Sequence, residues 1–248
     1  LSDIVADYRG QPHGGVSPRL YRNDGEGGFT DVAAAAGLAH PYLPMGANFG
    51  DLDNDGFLDI YLATGRPNYK MLVPNVMLRN KDGKLFQNVT TSGGFGHLQK
   101  GHGVAFADID NDGDQDIYHQ LGGFYPGDRY RNVLFKNPGH GNRFLIIKLV
   151  GTQSNRSGIG ARIRVTVDTP QGKRTLHRAV GSVSSFGGSP LRQEIGLGAA
   201  DSIERVEIDW PGSATTQALR EVPLNAMIQV TEGTDGFESL RFDALPMP

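Results

Sequence analysis

Cysteine is absent from the sequence, and its absence excludes disulfide bonds, thiolate metal sites and cysteine nucleophiles. The sequence also lacks any run of 18 apolar residues, so we expect no segment that spans a membrane. No basic stripe interleaved with aromatic residues is present, which argues against nucleic acid as a partner. Disulfide scaffolds, membrane-spanning proteins and nucleic-acid-binding proteins are thus disfavoured.

Glycine and proline, in contrast, are abundant, with 35 and 14 copies among 248 residues. Such a composition produces frequent turns and few long helices, and it favours an all-β fold. The length is sufficient for one large domain or two ordinary domains with a sizeable hydrophobic core.

The net charge of −3 hides an uneven distribution of acidic residues. Residues 1–140 contain 16 acidic and 12 basic residues, and nine of the acidic ones lie within residues 51–59 and 108–116. Outside these two stretches the same region has more basic than acidic residues. The acidity is concentrated in two short loops, where neighbouring carboxylates repel one another unless a cation is bound.

The two acidic stretches share one pattern of alternating aspartates around a glycine. Residues 51–59 have the sequence DLDNDGFLD, and residues 108–116 have the sequence DIDNDGDQD, beginning 57 residues later. Clustered oxygen donors in a tight loop are the ligands that Ca²⁺ prefers, and the glycine at position 6 permits the sharp turn. The pattern therefore predicts two calcium sites.

The flanks of the loops distinguish between two kinds of calcium site. An EF-hand requires an acidic residue at position 12 and two flanking helices. Position 12 is Leu62 in one loop and His119 in the other, and the flanking segments have the β-branched and aromatic composition of strands. The pattern therefore predicts a loop that joins two strands of a hairpin, with carboxylate ligands at positions 1, 3, 5 and 9 and a main-chain carbonyl ligand at position 7.

The repeat extends beyond the loops in both directions. Each copy predicts a strand, the acidic loop, a second strand, a polar turn, a third strand, a tight turn and a fourth strand. Residues 20–29 match residues 78–86, which gives a third, partial copy. Leu1 and Asp3 then align with positions 7 and 9 of an acidic loop, so Asp3 would be the last ligand of a truncated third site. The alternative is that this alignment is coincidental. If it is not, we expect the natural protein to continue upstream.

This combination resembles the FG-GAP/VCBS repeats of calcium-binding β-propellers. The resemblance depends on Phe49 and Gly50 before the first loop, the nine-residue acidic loops and the 57-residue period. It implies one four-stranded blade for each repeat, with a calcium ion that holds two strands together. The ligands implied for the first loop are Asp51, Asp53, Asp55, the main-chain carbonyl of Phe57, and Asp59. Those implied for the second loop are Asp108, Asp110, Asp112, the main-chain carbonyl of Asp114, and Asp116. We expect the side chain of Asp114 to lie in solvent.

From about residue 142 the sequence contains closely spaced strand candidates without acidic loops. Turn residues separate them at intervals of about a dozen residues, which favours a β-sandwich. The candidates are residues 143–151, 159–167, 173–183, 191–197, 203–210 and 227–232. The segment also resembles the ASPIC/UnbV domain that follows FG-GAP repeats in cartilage-acidic-protein-like secreted proteins. The resemblance is carried by SNRSGIGAR at 154–162, GLG at 196–198 and VEIDWPG at 206–212.

These patterns predict an all-β protein with a partial β-propeller of about two and a half four-stranded blades, followed by a β-sandwich-like domain. The blades are assigned to residues 1–140, the ASPIC/UnbV-like domain to 141–233 and a tail along the surface to 234–248. We expect a secreted or cell-surface adhesion or scaffold module with structural Ca²⁺ and a protein or glycan partner.

Two alternative functions remain open at this point. The chain could be a subunit of an extracellular fibre or oligomer, because exposed sheet edges are templates for pairing between chains. It could instead be an enzyme or an enzyme-accessory domain. We expect no enzyme and assign no catalytic residue, since no serine lies in a nucleophile elbow and no positioned His–Asp pair is visible.

Overall fold

The computed structural model describes residues 2–11, 14–66, 72–123, 125–127, 129–181, 185–241 and 243–246. Strands make up 42% of the chain and helix 3%, which confirms the all-β prediction. The described residues contain one helix, α1, at Ser2–Tyr8. This helix is seven residues long, and no helix in the described ranges is long and apolar enough to span a membrane.

The strands follow one another along the whole chain. In the first part they are β1 (Tyr21–Asn23), β2 (Phe29–Asp31), β3 (Pro44–Gly50), β4 (Asp59–Thr64), β5 (Val76–Lys81), β6 (Leu85–Asn88), β7 (Gly101–Ala107), β8 (Asp116–Leu121) and β9 (Val133–Phe135). In the second part they are β10 (Arg143–Val150), β11 (Arg162–Thr169), β12 (Gly172–Ala179), β13 (Gln193–Gly198), β14 (Ser202–Asp209), β15 (Thr216–Leu219), β16 (Ala226–Thr231) and β17 (Glu238–Leu240).

These strands form five small sheets. Their strand orders are β1-β2, β3-β4-β5-β6, β7-β8-β9, β13-β10-β16-β17 and β12-β11-β14-β15. The four larger sheets form a ring that resembles a four-bladed β-propeller. The repeat predicted from the sequence is visible in the order strand, acidic loop, strand, because one loop joins β3 to β4 and the other joins β7 to β8.

Strand β4 is buried along its whole length because both of its faces are covered. Successive side chains of a strand point to opposite faces, and Tyr61 packs with Val104 and Phe106 of the next sheet. On the other face, Ile60 packs with Leu38 from the segment that follows the β1-β2 hairpin. The sheet that contains β4 therefore stacks face to face with the sheet that contains β7.

The second repeat has three strands in the described part of the chain, whereas the first has four. In the second repeat, the residues that correspond to β6 begin at Asn142. This stretch instead forms the start of β10, which belongs to a different sheet. Pro138 cannot donate to a ladder, and Gly139 and Gly141 have φ of 80° and 76°. The chain thus turns away from the blade at the position where a fourth strand would begin.

The two C-terminal sheets share one hydrophobic core of 20 buried residues, which confirms the predicted sandwich. Alternate residues of the central strands point into it, among them Ile147 of β10 and Val165 of β11. Trp210, at the end of β14, is 1% exposed and belongs to the same core. Strand β10 is antiparallel to β13 but parallel to β16, a pairing that the sequence pattern does not predict.

Four local features differ from the sequence-based expectations. The N-terminal segment, which aligns with the end of a truncated acidic loop, is helix α1 instead, and Leu1 lies outside the described residues. The tail is not only an extension along the surface, because β17 adds an antiparallel edge strand to β16. Strand β15, which pairs with β14, was not predicted. The predicted strand at 173–183 ends earlier, at Ala179, and residues 182–183 lie outside the described ranges.

Candidate metal centres

The backbone of the two acidic loops follows one path. Asn54 and Asn111, at position 4, have φ of 54° and 56°, and Gly56 and Gly113, at position 6, have φ of 90° and 95°. Asparagine tolerates this left-handed region better than most residues, and glycine adopts it without a steric cost. The shared DNDG sequence therefore fixes the turn that gathers the aspartates, and Asn at position 4 is a signal that sequence analysis did not use.

The aspartates at position 9 fasten each loop to its own sheet. Asp59 accepts hydrogen bonds from the N–H groups of Leu52 and Asn80, both at 2.7 Å. Asp116 accepts equivalent bonds from Ile109 at 3.1 Å and Asn137 at 2.8 Å. Each carboxylate joins the start of its loop to the third strand of the repeat or to the residue just after it, and both are fully buried.

The aspartates at position 1 close the turn itself. Asp51 accepts a hydrogen bond at 3.0 Å from the N–H of Gly56. Asp108 accepts one at 3.1 Å from the N–H of Gly113 and a second at 3.1 Å from that of Asp112. These bonds hold the first carboxylate over the centre of the loop.

Each loop brings three carboxylates close enough to share an ion. One oxygen each of Asp51, Asp53 and Asp59 lie within 4.8 Å of one another, and so do oxygens of Asp108, Asp110 and Asp112. The first cluster is entirely buried, whereas the second has Asp112 exposed. The aspartates at positions 1 and 3 thus come together in space in both loops.

The remaining predicted aspartate ligands lie outside these two clusters. Asp55 accepts a hydrogen bond from the N–H of Phe57 at 2.8 Å, and Asp116 makes the bonds described above. The Asp114 side chain is half-buried and accepts a hydrogen bond at 2.9 Å from Asn54, so the expectation that it lies in solvent is wrong. Asp3 lies in α1, where it accepts a hydrogen bond from the N–H of Gly14. In the described part of the chain it belongs to no acidic cluster.

Two buried carboxylate oxygens in these clusters have no hydrogen-bond donor. They are Asp51 Oδ1 and Asp110 Oδ1, which belong to residues that are 0% and 2% exposed. Leaving a buried acceptor unsatisfied is costly, and a bound cation removes that cost. Each loop contributes one such atom, so the donor set fits a metal ion better than it fits an empty loop.

Three of the clustered aspartates, Asp51, Asp59 and Asp108, have raised pKa values. Burial, reinforced by neighbouring carboxylates, raises the pKa of Asp51 to about 7 and that of Asp59 to about 8. Burial and the nearby Glu194 raise the pKa of Asp108 to about 6. Without a cation, the charged forms of these groups are disfavoured near neutral pH.

Each cluster also has a basic residue from its own repeat. Arg79 Nε lies 2.5 Å from Asp53 Oδ2, and Lys136 Nζ lies 2.7 Å from Asp110 Oδ2. Arg79 and Lys136 are 57 residues apart, as are the two aspartates. This basic pair was not among the predicted site residues, although the 57-residue period of the repeat was sufficient to find it.

The first loop is pressed against the C-terminal sheets. Arg178 of β12 is bound to Asp51 Oδ2 at 3.3 Å, and its side chain is only 10% exposed. Arg174, four residues earlier on the same strand, donates to the carbonyl of Asp55 at 2.6 Å and lies 3.9 Å from the ring centroid of Phe57. A Cβ on Gly196 of β13 would collide with the main chain of Asn54 and the Asp51 carboxylate.

The second loop contacts the same two-sheet sandwich through different residues. Glu194 of β13 accepts a hydrogen bond from the N–H of Asp108 at 3.1 Å, and Arg192 donates to the Asp108 carbonyl at 2.5 Å. A Cβ on Gly113 would collide with the ring of Phe144 in β10. Both candidate centres therefore lie where the blades meet the sandwich.

Amide side chains also connect the two loops directly. Asn54 donates to the Gly113 carbonyl at 2.9 Å. Gln115 accepts from the N–H of Asp51 at 2.7 Å and donates to Glu194 at 2.8 Å. The two centres thus form one hydrogen-bonded unit with the C-terminal sheets.

Comparison with known families gives one match in each part of the chain. Residues 3–62 match the model of the FG-GAP-like repeat, and residues 151–236 match the model described as ASPIC and UnbV. The first match contains the first acidic loop, whereas the second acidic loop lies outside both matched ranges. No curated protein matches the chain. The chain is therefore similar to these two families in the predicted order, and FG-GAP repeats are typical of extracellular proteins.

Proposed function

We propose that the chain is an extracellular calcium-binding module for adhesion or scaffolding, in which two calcium ions brace the loops of the blades. The main support is the pair of unsatisfied buried oxygens, Asp51 Oδ1 and Asp110 Oδ1, each within a cluster of three aspartates. The similarity to FG-GAP repeats supports an extracellular, β-propeller-type module.

The chemistry of the donors favours calcium among the divalent ions. The clusters offer carboxylate oxygens without histidine or cysteine, and Ca²⁺ takes six to eight oxygen ligands in flexible arrangements. The first site would use Asp51, Asp53 and Asp59, with Asp55 and the Phe57 carbonyl as the remaining expected ligands. The second would use Asp108, Asp110 and Asp112, with Asp116 and the Asp114 carbonyl.

The position of the loops indicates what calcium would do there. Bound calcium neutralises carboxylates that are otherwise crowded and buried between the blades and the C-terminal sheets. An ion that binds only the folded state stabilises it by mass action. We therefore assign calcium a structural function, with the partner bound elsewhere on the surface.

The metal assignment is tested by thermal unfolding of the whole chain in calcium and in chelator. We expect chelation to lower the melting temperature, and Asp51→Ala and Asp108→Ala each to remove much of the calcium-dependent difference. Asp235→Ala, at an exposed position after β16, is the matched control and should leave the difference unchanged. Identical melting curves in calcium and in chelator, with no calcium in the purified protein by elemental analysis, would contradict the assignment.

The adhesion or scaffold function is tested by binding. The immobilised chain is exposed to glycan arrays and to extracellular-matrix proteins, in calcium and in chelator. We expect saturable binding that is lost in chelator, because removal of the ion loosens the blades. Absence of saturable binding to both classes in calcium would oppose this part of the proposal.

Self-association is a second candidate function, favoured by one observation. The β1-β2 hairpin is a two-stranded sheet in which every residue is exposed, including Tyr21 at 60% and Phe29 at 63%. Unpaired sheet edges with exposed aromatic residues can pair with a second chain. Sedimentation in calcium should then show concentration-dependent oligomers that Tyr21→Lys/Phe29→Lys disperses; a monomer at all concentrations would oppose this candidate.

We propose no catalytic activity. The titratable side chains gathered in the acidic loops are engaged in ion pairs and main-chain hydrogen bonds that hold the loops in place. Turnover of a substrate by the calcium-loaded chain, abolished by substitution of a single side chain, would contradict this view.

A further inference from the structure

The two acidic loops, although equivalent in sequence, lie in different charge environments. We propose that the two calcium sites differ in affinity, with the second loop the tight site and the first the weak site. We further propose that Arg178 and Glu194 of the C-terminal sheets cause the difference. This inference rests on the proposed calcium function and specifies which residues regulate it.

The charges contributed by the repeats themselves are nearly balanced between the sites. Arg79 faces Asp53 as Lys136 faces Asp110, at equivalent positions of the period. One difference arises inside the loops, because position 7 is Phe57 in the first and Asp114 in the second. The larger part of the imbalance comes from outside the repeats.

Two arginines of β12 enter the first loop. Arg178 lies against Asp51 Oδ2, and Arg174 donates to the main-chain carbonyl of Asp55. Arg178 is nearly buried, so solvent screens its charge poorly. The four acidic residues of this loop therefore face three guanidinium groups, of Arg79, Arg174 and Arg178.

The second loop receives an additional acidic residue. Glu194, with its side chain 5% exposed, accepts hydrogen bonds from the Asp108 N–H and from Gln115. Arg192 is paired with Glu194 Oε1 at 2.8 Å and donates to the Asp108 carbonyl. The loop's five aspartates and Glu194 thus face Lys136 and Arg192, with His140 near Asp114.

The affinity of a calcium loop depends on its ligand charge and rigidity, over several orders of magnitude. A cation at the first site approaches four carboxylates nearly balanced by three guanidinium groups, whereas a cation at the second approaches a larger surplus of carboxylates. Both sites can still accept an ion, since each retains one unsatisfied buried oxygen. Filling is therefore sequential, with the second loop first.

Isothermal titration of the calcium-free whole chain with calcium chloride tests the order of filling. We expect two classes of site whose dissociation constants differ by about tenfold or more. Asp110→Asn should remove the tight class, and Asp53→Asn should remove the weak class. The same titration at high salt should leave most of the difference in place, because Arg178 and Glu194 are too buried for salt to screen them well.

The causal residues are tested by two substitutions that each remove one charge and keep an extended side chain. Arg178→Met should strengthen the weak class by about tenfold, in the usual range for coupling between neighbouring groups, and leave the tight class unchanged. Glu194→Gln should weaken the tight class several-fold. Arg164→Met is the control, because this substitution changes the net charge by the same amount as Arg178→Met. Arg164 pairs with Asp209 on a neighbouring strand of the same sheet.

The outcomes separate this inference from the function on which it rests. No calcium binding by the parent chain would remove the proposed function itself. Three results would overturn the inference while calcium binding stands. They are two sites of equal affinity, removal of the tight class by Asp53→Asn, and an effect of Arg178→Met no larger than that of Arg164→Met. Each variant is first compared with the parent by its melting curve in calcium. If Arg178→Met unfolds, Arg178→Lys is used instead; it keeps the charge and should show the parent's affinity at the weak site.

Discussion

At the residue scale, the most heavily hydrogen-bonded carboxylate lies away from the acidic loops. Glu232 Oε2 accepts hydrogen bonds from the N–H groups of Thr152, Gln153 and Ser154, and Oε1 accepts from the hydroxyls of Ser154 and Ser213. Burial opposes ionisation of Glu232, but these donors outweigh it and hold the pKa well below its usual value. One charged side chain thus fixes the turn after β10 to the end of β16.

The lowered pKa of Glu232 predicts a loss of stability in acid. A carboxyl group whose pKa is lower in the folded state stabilises the fold above its ordinary pKa and ceases to do so as pH falls. We expect stability to decline below about pH 4.5, the ordinary value for glutamate. Glu232→Gln should lower the melting temperature at pH 7 and flatten that decline, because an amide replaces an acceptor that the N–H groups require.

Acid unfolding of the parent and the variant, followed by circular dichroism, measures this effect. Glu238→Gln serves as the control, since Glu238 lies exposed on edge strand β17. An unchanged acid-unfolding curve for Glu232→Gln would show that these hydrogen bonds contribute nothing net.

The aspartates of the loops predict the opposite dependence on pH when calcium is absent. The pKa values of Asp51 and Asp59 are raised to about 7 and about 8, so the folded state holds protons that the unfolded state releases near pH 4. The contribution of these two aspartates to the stability of the calcium-free protein is then greatest below that value and is lost as pH rises through 7 and 8. Calcium binds the ionised carboxylates, so its stabilising effect should grow over the same range.

Melting temperatures in calcium and in chelator, compared between pH 5 and pH 8, measure this difference. We expect a larger difference at pH 8, and Asp51→Asn should reduce its growth with pH. A calcium effect that is constant across the range would count against raised pKa values in the loops.

At the element scale, each acidic loop depends on a glycine that has two separate functions. Gly113 has φ of 95°, and a Cβ there would also collide with Phe144. Gly141 has φ of 76°, but a Cβ added there would meet no atom within 4 Å, so this position isolates the cost of backbone strain. Left-handed backbone costs a residue with a Cβ roughly 1–2 kcal/mol.

The two glycines therefore make a matched pair. Gly141→Ala should destabilise the protein by about 1–2 kcal/mol, and Gly113→Ala should destabilise it further and weaken calcium binding, because β10 must move away from the loop. Denaturant unfolding in calcium measures both changes. Equal losses of stability would show that the contact between Gly113 and Phe144 is not tight.

Local patterns in the sequence were sufficient to predict most of the strands and the turns of the acidic loops. The alternation of Asp51, Asp53 and Asp55 around Gly56 is a property of nine consecutive residues, and so is the turn that it predicts. The partners of those residues are not local, since Arg178 and Glu194 come from strands far along the chain. No periodicity in the sequence indicates which face of β12 will meet Asp51, because docking depends on the packing of whole sheets.

At the scale of the whole molecule, the two parts differ in how they are held together. The sandwich has one core of 20 buried residues, whereas the blades have two clusters of seven and six. The acidic loops lie between them and carry the hydrogen bonds and ion pairs that connect the parts. The blades should therefore depend on calcium more than the sandwich does.

Calorimetry of the whole chain tests this dependence. We expect one cooperative transition in calcium and two in chelator, with the blades unfolding first. Hydrogen exchange in chelator should then be fast in β3 and β4 and slow in β10 and β11. A single transition under both conditions, with uniform exchange, would show that calcium does not couple the parts.

The parallel pairing of β10 with β16 determines when the sandwich can be completed during synthesis. Thr152, just after β10, meets Glu232, just after β16, across 80 residues of sequence. Contacts so far apart form slowly, since a long loop must close before they contribute any stability. Until the ribosome has released β16, one edge of β10 has no partner, and a nascent chain in this state is prone to pair with another. A chain that terminates before Ala226 would retain both acidic loops and still leave the ribosome with an open sheet.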